Sequence, residues 1–362
     1  MPQKYTNRIS TIVLMIFICF GITACMKEKN NEEVLSIISA EEPDDVILEN
    51  DTNQQEEKVI SQKTFDEPSP NDTYKNIAIF CVDSCEGRLA SDTRNRGTII
   101  LSRNERTGEI KVINVQYLTY LNYDGGDIFR QSWLAYYDGP ETAINMLNQN
   151  LDLEITDYIT IGFDGIIELT ENLGGVTVEI DSVELDAIND REYPKYMPDE
   201  IENSMEKIEE TGVQTLDGVQ TAAYCMGKLY GINDSYKQSI RQQEVLENIV
   251  ERIMLMEETA INSLCDNLYS KYIYTSLSSS EYKQLVNEIA DAGISETTIF
   301  PSQELSTSLV IGSSGTCLCP TDLNQNVTQM MFFLYNKSDY QPSQKVQEIS
   351  QKLSEIVTEY QK

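Results

Sequence analysis

The sequence predicts an α/β layered fold, and three observations carry that prediction. Short apolar runs of strand length alternate with segments of helical period, the signature of packed sheet and helix layers. Turn and capping residues separate these segments. A concentration of polar residues follows the first apolar run, where ligands sit in α/β sheets. That run, Asn76 to Val82, stops at Asp83. Asp83 and Ser84 read either as a ligand-facing strand end or as a plain helix cap. Thr98 to Ser102 and Glu109 to Val115 read as two further strands, with Glu105-Arg-Thr-Gly108 as a hairpin-like turn between them. Asp138-Gly-Pro-Glu141 reads as a capping box, opening a helix that buries Ala143, Ile144, Leu147 and Leu151. Tyr158 to Ile161 is a strand, and Ile166 to Leu173 a helix closed by Gly174-Gly175. Val176 to Ile180 is the next strand. Residues 182–212 read as an irregular, acidic surface excursion. Val245, Leu246, Ile249, Val250 and Ile253 mark a later helix.

Composition narrows the function. The 362 residues carry a formal charge of -32. No basic stripe is available to neutralise phosphates, so nucleic acid is excluded as a partner. The chain has no histidine, which removes Ser-His-Asp and Cys-His catalysis and histidine-based zinc sites. Lys4 and Arg8 precede an apolar run from Ile9 to Thr23, the length of a signal-peptide core. The run ends Ile22-Thr-Ala-Cys25, which resembles a bacterial lipobox. Residues 1–24 are thus expected to be a lipoprotein signal peptide and Cys25 to carry lipid; an uncleaved anchor is the alternative. Either reading places the rest on the outer face of the cytoplasmic membrane. Residues 25–75 form an acidic tether, rich in carboxylates and poor in aromatics. Of the remaining cysteines, Cys81 and Cys225 lie in apolar runs and are expected to be buried thiols. Residues 76–352 are the folded domain, and 353–362 a C-terminal tail.

The stretch from Asn76 to Leu121 resembles the signature region of the LytR-CpsA-Psr family of cell-envelope proteins. The family reads D-S-R-E-G, then R-S-D-T, then S-V-x-R-D-T-Y-L. Here the corresponding residues are Asp83-Ser-Cys-Glu-Gly87, Arg94-Asn-Arg-Gly97 and Asn114-Val-Gln-Tyr-Leu-Thr-Tyr-Leu121. Tyr136-Tyr-Asp-Gly-Pro-Glu141 is similar to A-Y-G-G-P-E, and Glu171-Asn-Leu-Gly-Gly-Val-Thr-Val178 to D-A-L-G-G-V-x-V. Leu216 to Tyr224 resembles L-N/D-G-x-Q-A-x-A-Y, and Lys237 to Gln243 stands where the family has K-R-T-E-R-Q-R. The resemblance implies a central mixed β-sheet flanked by helices, with an apolar lipid-binding tunnel. It also implies an activity: transfer of a polyprenyl-pyrophosphate-linked wall glycopolymer to peptidoglycan. Arginines and aspartate-bound Mg2+ would grip the pyrophosphate, because phosphoryl transfer depends on electrostatic stabilisation of developing charge.

The framework matches while much of the charged chemistry does not. The D-S-R arginine falls at Cys85, the R-S-D-T aspartate at Arg96, and the third motif's R-D at Tyr117-Leu118. The R-x-R pair falls at Met226 and Lys228, and the K-R-T arginine at Gln238. Ser91-Asp-Thr93 spells S-D-T four residues early, and a shifted loop would restore an aspartate there. The residues left to hold pyrophosphate are Asp83, Arg94, Arg96, Arg130, Lys228, Lys237 and Arg241, with Asp83 the one weak metal candidate. These substitutions predict loss of Mg2+ and a catalytically degenerate member that binds polyprenyl lipid or serves in wall assembly. Arg96 is expected either to occupy the former metal position or to point to solvent. An active phosphotransferase with an altered site and a structural envelope lipoprotein without a lipid ligand are the alternatives.

Overall fold

The computed structural model describes residues 74–85, 87–189, 197–227 and 234–361. The signal peptide, Cys25, nearly all of the tether, and Glu86 and Lys228 lie outside the described residues. The domain opens on β1, Tyr74–Val82, two residues earlier than the sequence predicts. Its period-two pattern sends Ala78, Phe80 and Val82 into one core and Ile77 into another, so the strand is apolar on both faces. It pairs antiparallel with β2, Asn95–Asn104, and parallel with β6, Ile155–Ile161. A tight turn joins β2 to β3, Ile110–Val115. There the Asn104 carboxamide accepts the amides of Arg106 and Thr107 at 3.0 and 3.1 Å, an Asx-type turn.

With β9, Ile273–Thr275, and β10, Glu296–Phe300, these strands form a six-stranded mixed sheet ordered β10-β3-β2-β1-β6-β9. Helices flank it, as predicted. On one face lie α1, Pro140–Leu151, α7, Leu323–Tyr335, and α8, Gln344–Tyr360. They close a core that includes Phe80, Tyr136, Leu147, Met331 and Leu353. On the other face Ile253, Ile261 and Leu285 pack against Ile77 and Val112. They come from α4, Asp234–Ile253, α5, Glu258–Lys271, and α6, Ser279–Ala292. A third core joins α2, Phe163–Asn172, to the pair of β7, Val176–Ile180, and β8, Gly212–Leu216, and to α3, Gly218–Met226. A small hairpin of β4, Tyr120–Asn122, and β5, Phe129–Gln131, leads into the turn before α1. No helix among the described residues is long and apolar enough to cross a membrane.

Three local expectations change. Asp138 does not cap α1; Gly139 is the N-cap, and the Asp138 carboxylate instead accepts the Tyr123 hydroxyl. A tertiary partner has outcompeted the local capping bond. The acidic excursion holds two short helices, Ser182–Asn189 and Asp199–Ser204, and buries Ala187, Ile188, Met197 and Ile208 in the third core. The boundary at residue 352 also moves: α8 continues to Tyr360, with Leu353 and Val357 buried at helical spacing. Cys225 is buried as expected, whereas Cys81 is only partly enclosed.

Candidate functional site

β1 ends at Val82 and delivers Asp83 to the edge of the sheet, beside the start of β2. The register between these strands slips there: Cys81 faces Gly97, but Val82 faces Asn95. Arg96 is the extra residue of a β-bulge, a device that re-aims a side chain. The Asn95 carboxamide braces the bulge, accepting the Gly97 amide at 3.1 Å and donating to Thr98 Oγ1 at 2.6 Å.

The bulge turns Arg96 onto Asp83. Its Nε donates to Asp83 Oδ2 at 3.0 Å and its Nη2 lies 2.9 Å from the same oxygen. Both side chains are largely enclosed, at 6% and 13% exposure. Asp83 Oδ1 accepts the Arg94 amide at 3.0 Å and the Thr93 hydroxyl at 3.3 Å. Oδ1 thus accepts two hydrogen bonds, and Oδ2 takes both of its contacts from Arg96. The Asp83 amide in turn donates to the Arg94 carbonyl at 2.9 Å, so the two strand ends are tied in both directions.

The loop after Asp83 is held against the β6–α2 junction. The Phe163 amide donates to the Ser84 carbonyl at 2.9 Å. That approach requires glycine at 162, where a Cβ would lie 2.2 Å from the Ser84 carbonyl oxygen. The buried Tyr136 hydroxyl donates to the Leu89 carbonyl at 2.6 Å, pinning the far side of the loop. Asp83 and Ser84 cap no helix; the chain here runs through bends and turns.

The other predicted residues separate. Arg94 is exposed, its guanidinium 5.9 Å from the Trp133 ring centroid. Arg130, on β5, sits 4.8 Å over the Tyr123 ring. Lys237 is exposed on α4. Arg241, one turn further along, is 1% exposed and turns inward. Its Nε donates to the Tyr224 carbonyl and its Nη2 to the Gly227 carbonyl, each at 2.8 Å. These are carbonyls that the end of α3 leaves without helical partners, so Arg241 serves as a C-terminal cap.

Between Arg96 and Arg241 lies a buried set of neutral amides that the sequence reading did not assign to the site. Gln242 Nε2 donates to the Arg96 carbonyl at 2.9 Å and the Cys225 carbonyl at 3.0 Å. Gln242 Oε1 accepts from Asn114 Nδ2 at 3.0 Å. The Gln242 amide fills the space over Gly97, where a Cβ would meet it at 2.7 Å. Gln238, at a position where the family has arginine, donates to the Met226 carbonyl at 3.0 Å. Ser235 donates to Gln116 Oε1 at 3.0 Å. The available signal was polar residues at inward positions of an apolar strand and helix: Asn114 and Gln116 at the end of β3, Gln238 and Gln242 on α4.

Burial raises the neighbouring thiols, Cys81 up to about 12 and Cys225 further still, because a thiolate loses solvation there. Neither is poised as a nucleophile. No cluster of three or more metal-ligating side chains occurs among the described residues.

The chain belongs to the LytR_cpsA_psr family, whose model matches residues 44–317. A transferase of Enterococcus faecalis, the polyisoprenyl-teichoic acid--peptidoglycan teichoic acid transferase TagU, is 20% identical over 218 residues. That match covers 60% of this chain and 66% of the relative's length. Among solved structures, TagT bound to LIIa-WTA superposes with a TM-score of 0.56 at 16% identity, covering 77% of this chain and 94% of that one. A LytR-Csp2A-Psr enzyme from Actinomyces oris gives 0.53 at 13% identity, covering 72% and 89%. At these identities the structural likeness establishes the fold.

Proposed function

We propose that this chain is an envelope lipoprotein that holds a polyprenyl-linked wall glycan and has lost the family's transfer chemistry. One observation carries the reading: both oxygens of Asp83 are engaged within the chain, by Arg96, the Arg94 amide and Thr93. Magnesium needs hard carboxylate oxygens in near-octahedral array. Here the carboxylate the family would offer is already occupied, and a guanidinium stands against it, so an incoming cation meets repulsion as well as competition. The residues do not fit Mg2+. Arg96 supplies fixed positive charge instead.

The neutral amides extend the argument. Gln238 and Gln242 meet carbonyls of this chain rather than presenting charge to a phosphate. One missing phosphate-gripping donor costs about 3 kcal/mol of transition-state stabilisation, and several are absent. Binding needs less than catalysis. Val82 and Leu89, on either side of Asp83 in the chain, are buried in the apolar core between the sheet and α1, α7 and α8. The relatives' names supply the ligand class, a polyisoprenyl-linked anionic glycan delivered to peptidoglycan. Cys25 anchors the chain to the outer face of the membrane.

Mass spectrometry of lipid extracted from the purified protein tests binding; a polyprenyl species is expected, and its absence favours the ligand-free structural alternative. Incubation with a polyprenyl-pyrophosphate glycan, peptidoglycan and Mg2+ tests turnover. No release of polyprenyl phosphate is expected, and metal-dependent release would restore the active transferase reading. Cys25→Ala should leave unprocessed precursor; normal lipid labelling of that variant would end the anchor assignment.

A further inference from the structure

Two arginines of the candidate site lie against aromatic rings, and hydrogen bonds link the segments that carry them. The Arg94 amide donates to Asp83, so the surface begins at the strand ends. The Arg94 guanidinium faces Trp133. The neighbouring loop residue Asp92 donates its amide to the Tyr137 carbonyl at 3.0 Å. The next residue, Asp138, accepts the hydroxyl of Tyr123, the ring beneath Arg130. Arg94 and Arg130 therefore flank the turn from Trp133 to Asp138, with Tyr137 37% exposed on it.

We propose that the Arg94–Trp133 and Arg130–Tyr123 pairs form a docking strip for the sugar-phosphate backbone of an anionic glycan. Sugar rings offer apolar C–H faces that pack on aromatic rings. Phosphodiesters between them ask for cations at intervals, and a guanidinium held against a ring is already oriented to grip phosphate oxygens. A neutral glycan would have no use for the arginines, and a bare polyphosphate none for the rings. The chain has 59 acidic residues against 27 basic ones, and both of these cations rest on rings at one turn. The attraction between these arginines and phosphates would be screened by salt, so binding is expected to weaken as salt rises, and Asp92 and Asp138 on the same surface oppose it. The proposal rests on the reading above for the identity of the glycan and assigns Arg94 and Arg130 to its backbone rather than to pyrophosphate.

Trp133 is the only tryptophan in the chain, so its fluorescence reports this surface directly. The full chain in detergent is titrated with a poly(N-acetylglucosamine 1-phosphate) oligomer and with neutral chitotetraose. A saturable change in emission is expected with the first, with affinity falling at least tenfold in the Arg94→Gln/Arg130→Gln variant. Urea midpoints verify that this variant is folded. No saturable change, unaltered affinity in the variant, or equal binding of chitotetraose would overturn the strip. A parallel titration with polyprenyl monophosphate separates the two readings. Lipid binding without a glycan response removes the strip and leaves the proposed function; the reverse result removes the lipid reading and leaves the strip.

Discussion

Arg96 and Arg241 lie inside this protein; Arg94 and Arg130 lie at its rim. The inner pair is consumed by the chain itself, Arg96 by a carboxylate and Arg241 by two backbone carbonyls. The outer pair lies against the Trp133 and Tyr123 rings, Arg94 exposed and Arg130 half-buried. One residue type does two jobs because burial sets the penalty for leaving a charge unpaired. Inside, a charge left unpaired is costly, and the fold supplies Asp83 to Arg96 and two carbonyls to Arg241. Outside, water covers the remaining donors, and they stay available to a ligand. The comparison also separates structural from functional loss. The interior holds amides that bond to one another and to backbone carbonyls, while the rim carries Arg94 and Arg130.

The largest break comes from alkaline pH. Burial raises Cys317 and Cys319 from 9.0 to about 12, and Cys265 to about 11. An unfolded chain loses these protons near pH 9, so it is favoured as pH rises from there. Stability is expected to be level below about pH 8 and to fall steadily from pH 9 to 12, read as the urea midpoint at each pH. A midpoint that holds to pH 11 would mean the thiols are not buried as described.

Next in size is Arg96→Ala, which strands an enclosed carboxylate and should cost about 3–5 kcal/mol in urea unfolding. Adding Asp83→Asn should recover part of that loss, because no uncompensated charge remains. If the double variant is as unstable as the two single losses added together, the ion pair is not the coupling element. Gln242→Leu is smaller. It leaves the Arg96 carbonyl, the Cys225 carbonyl and the Asn114 amide short of a partner, and should cost about 2 kcal/mol. An unchanged unfolding midpoint would show that the amide set does not brace the bulge.

The smallest effect on stability belongs to the rim. Arg94→Gln should change unfolding by no more than about 0.5 kcal/mol, the range of an exposed cation–ring contact. A loss of several kcal/mol there would erase the distinction between inner and outer arginines.

The sequence by itself determined the central strands between Asn76 and Val115, the helix faces it named, and the closeness in the chain of Asp83, Arg94 and Arg96. These residues lie within thirteen positions of one another, on either side of a short loop between two paired strands. Alternation, helical spacing and turn residues act over such distances, so they can be read locally. Lys237 and Arg241 show the limit. Both stand on one helix in one motif, yet one faces solvent and the other caps α3, and only packing against Tyr224 and Gly227 decides which. Gln242 bonds to Asn114 across 128 positions and to Arg96 across 146. Asp138 gave up a helix cap for the hydroxyl of Tyr123, and Leu353 and Val357 became core because the sheet's face extends beneath α8. The direction of a long polar side chain depends on acceptors brought from distant segments, and those acceptors exist only once the layers have packed.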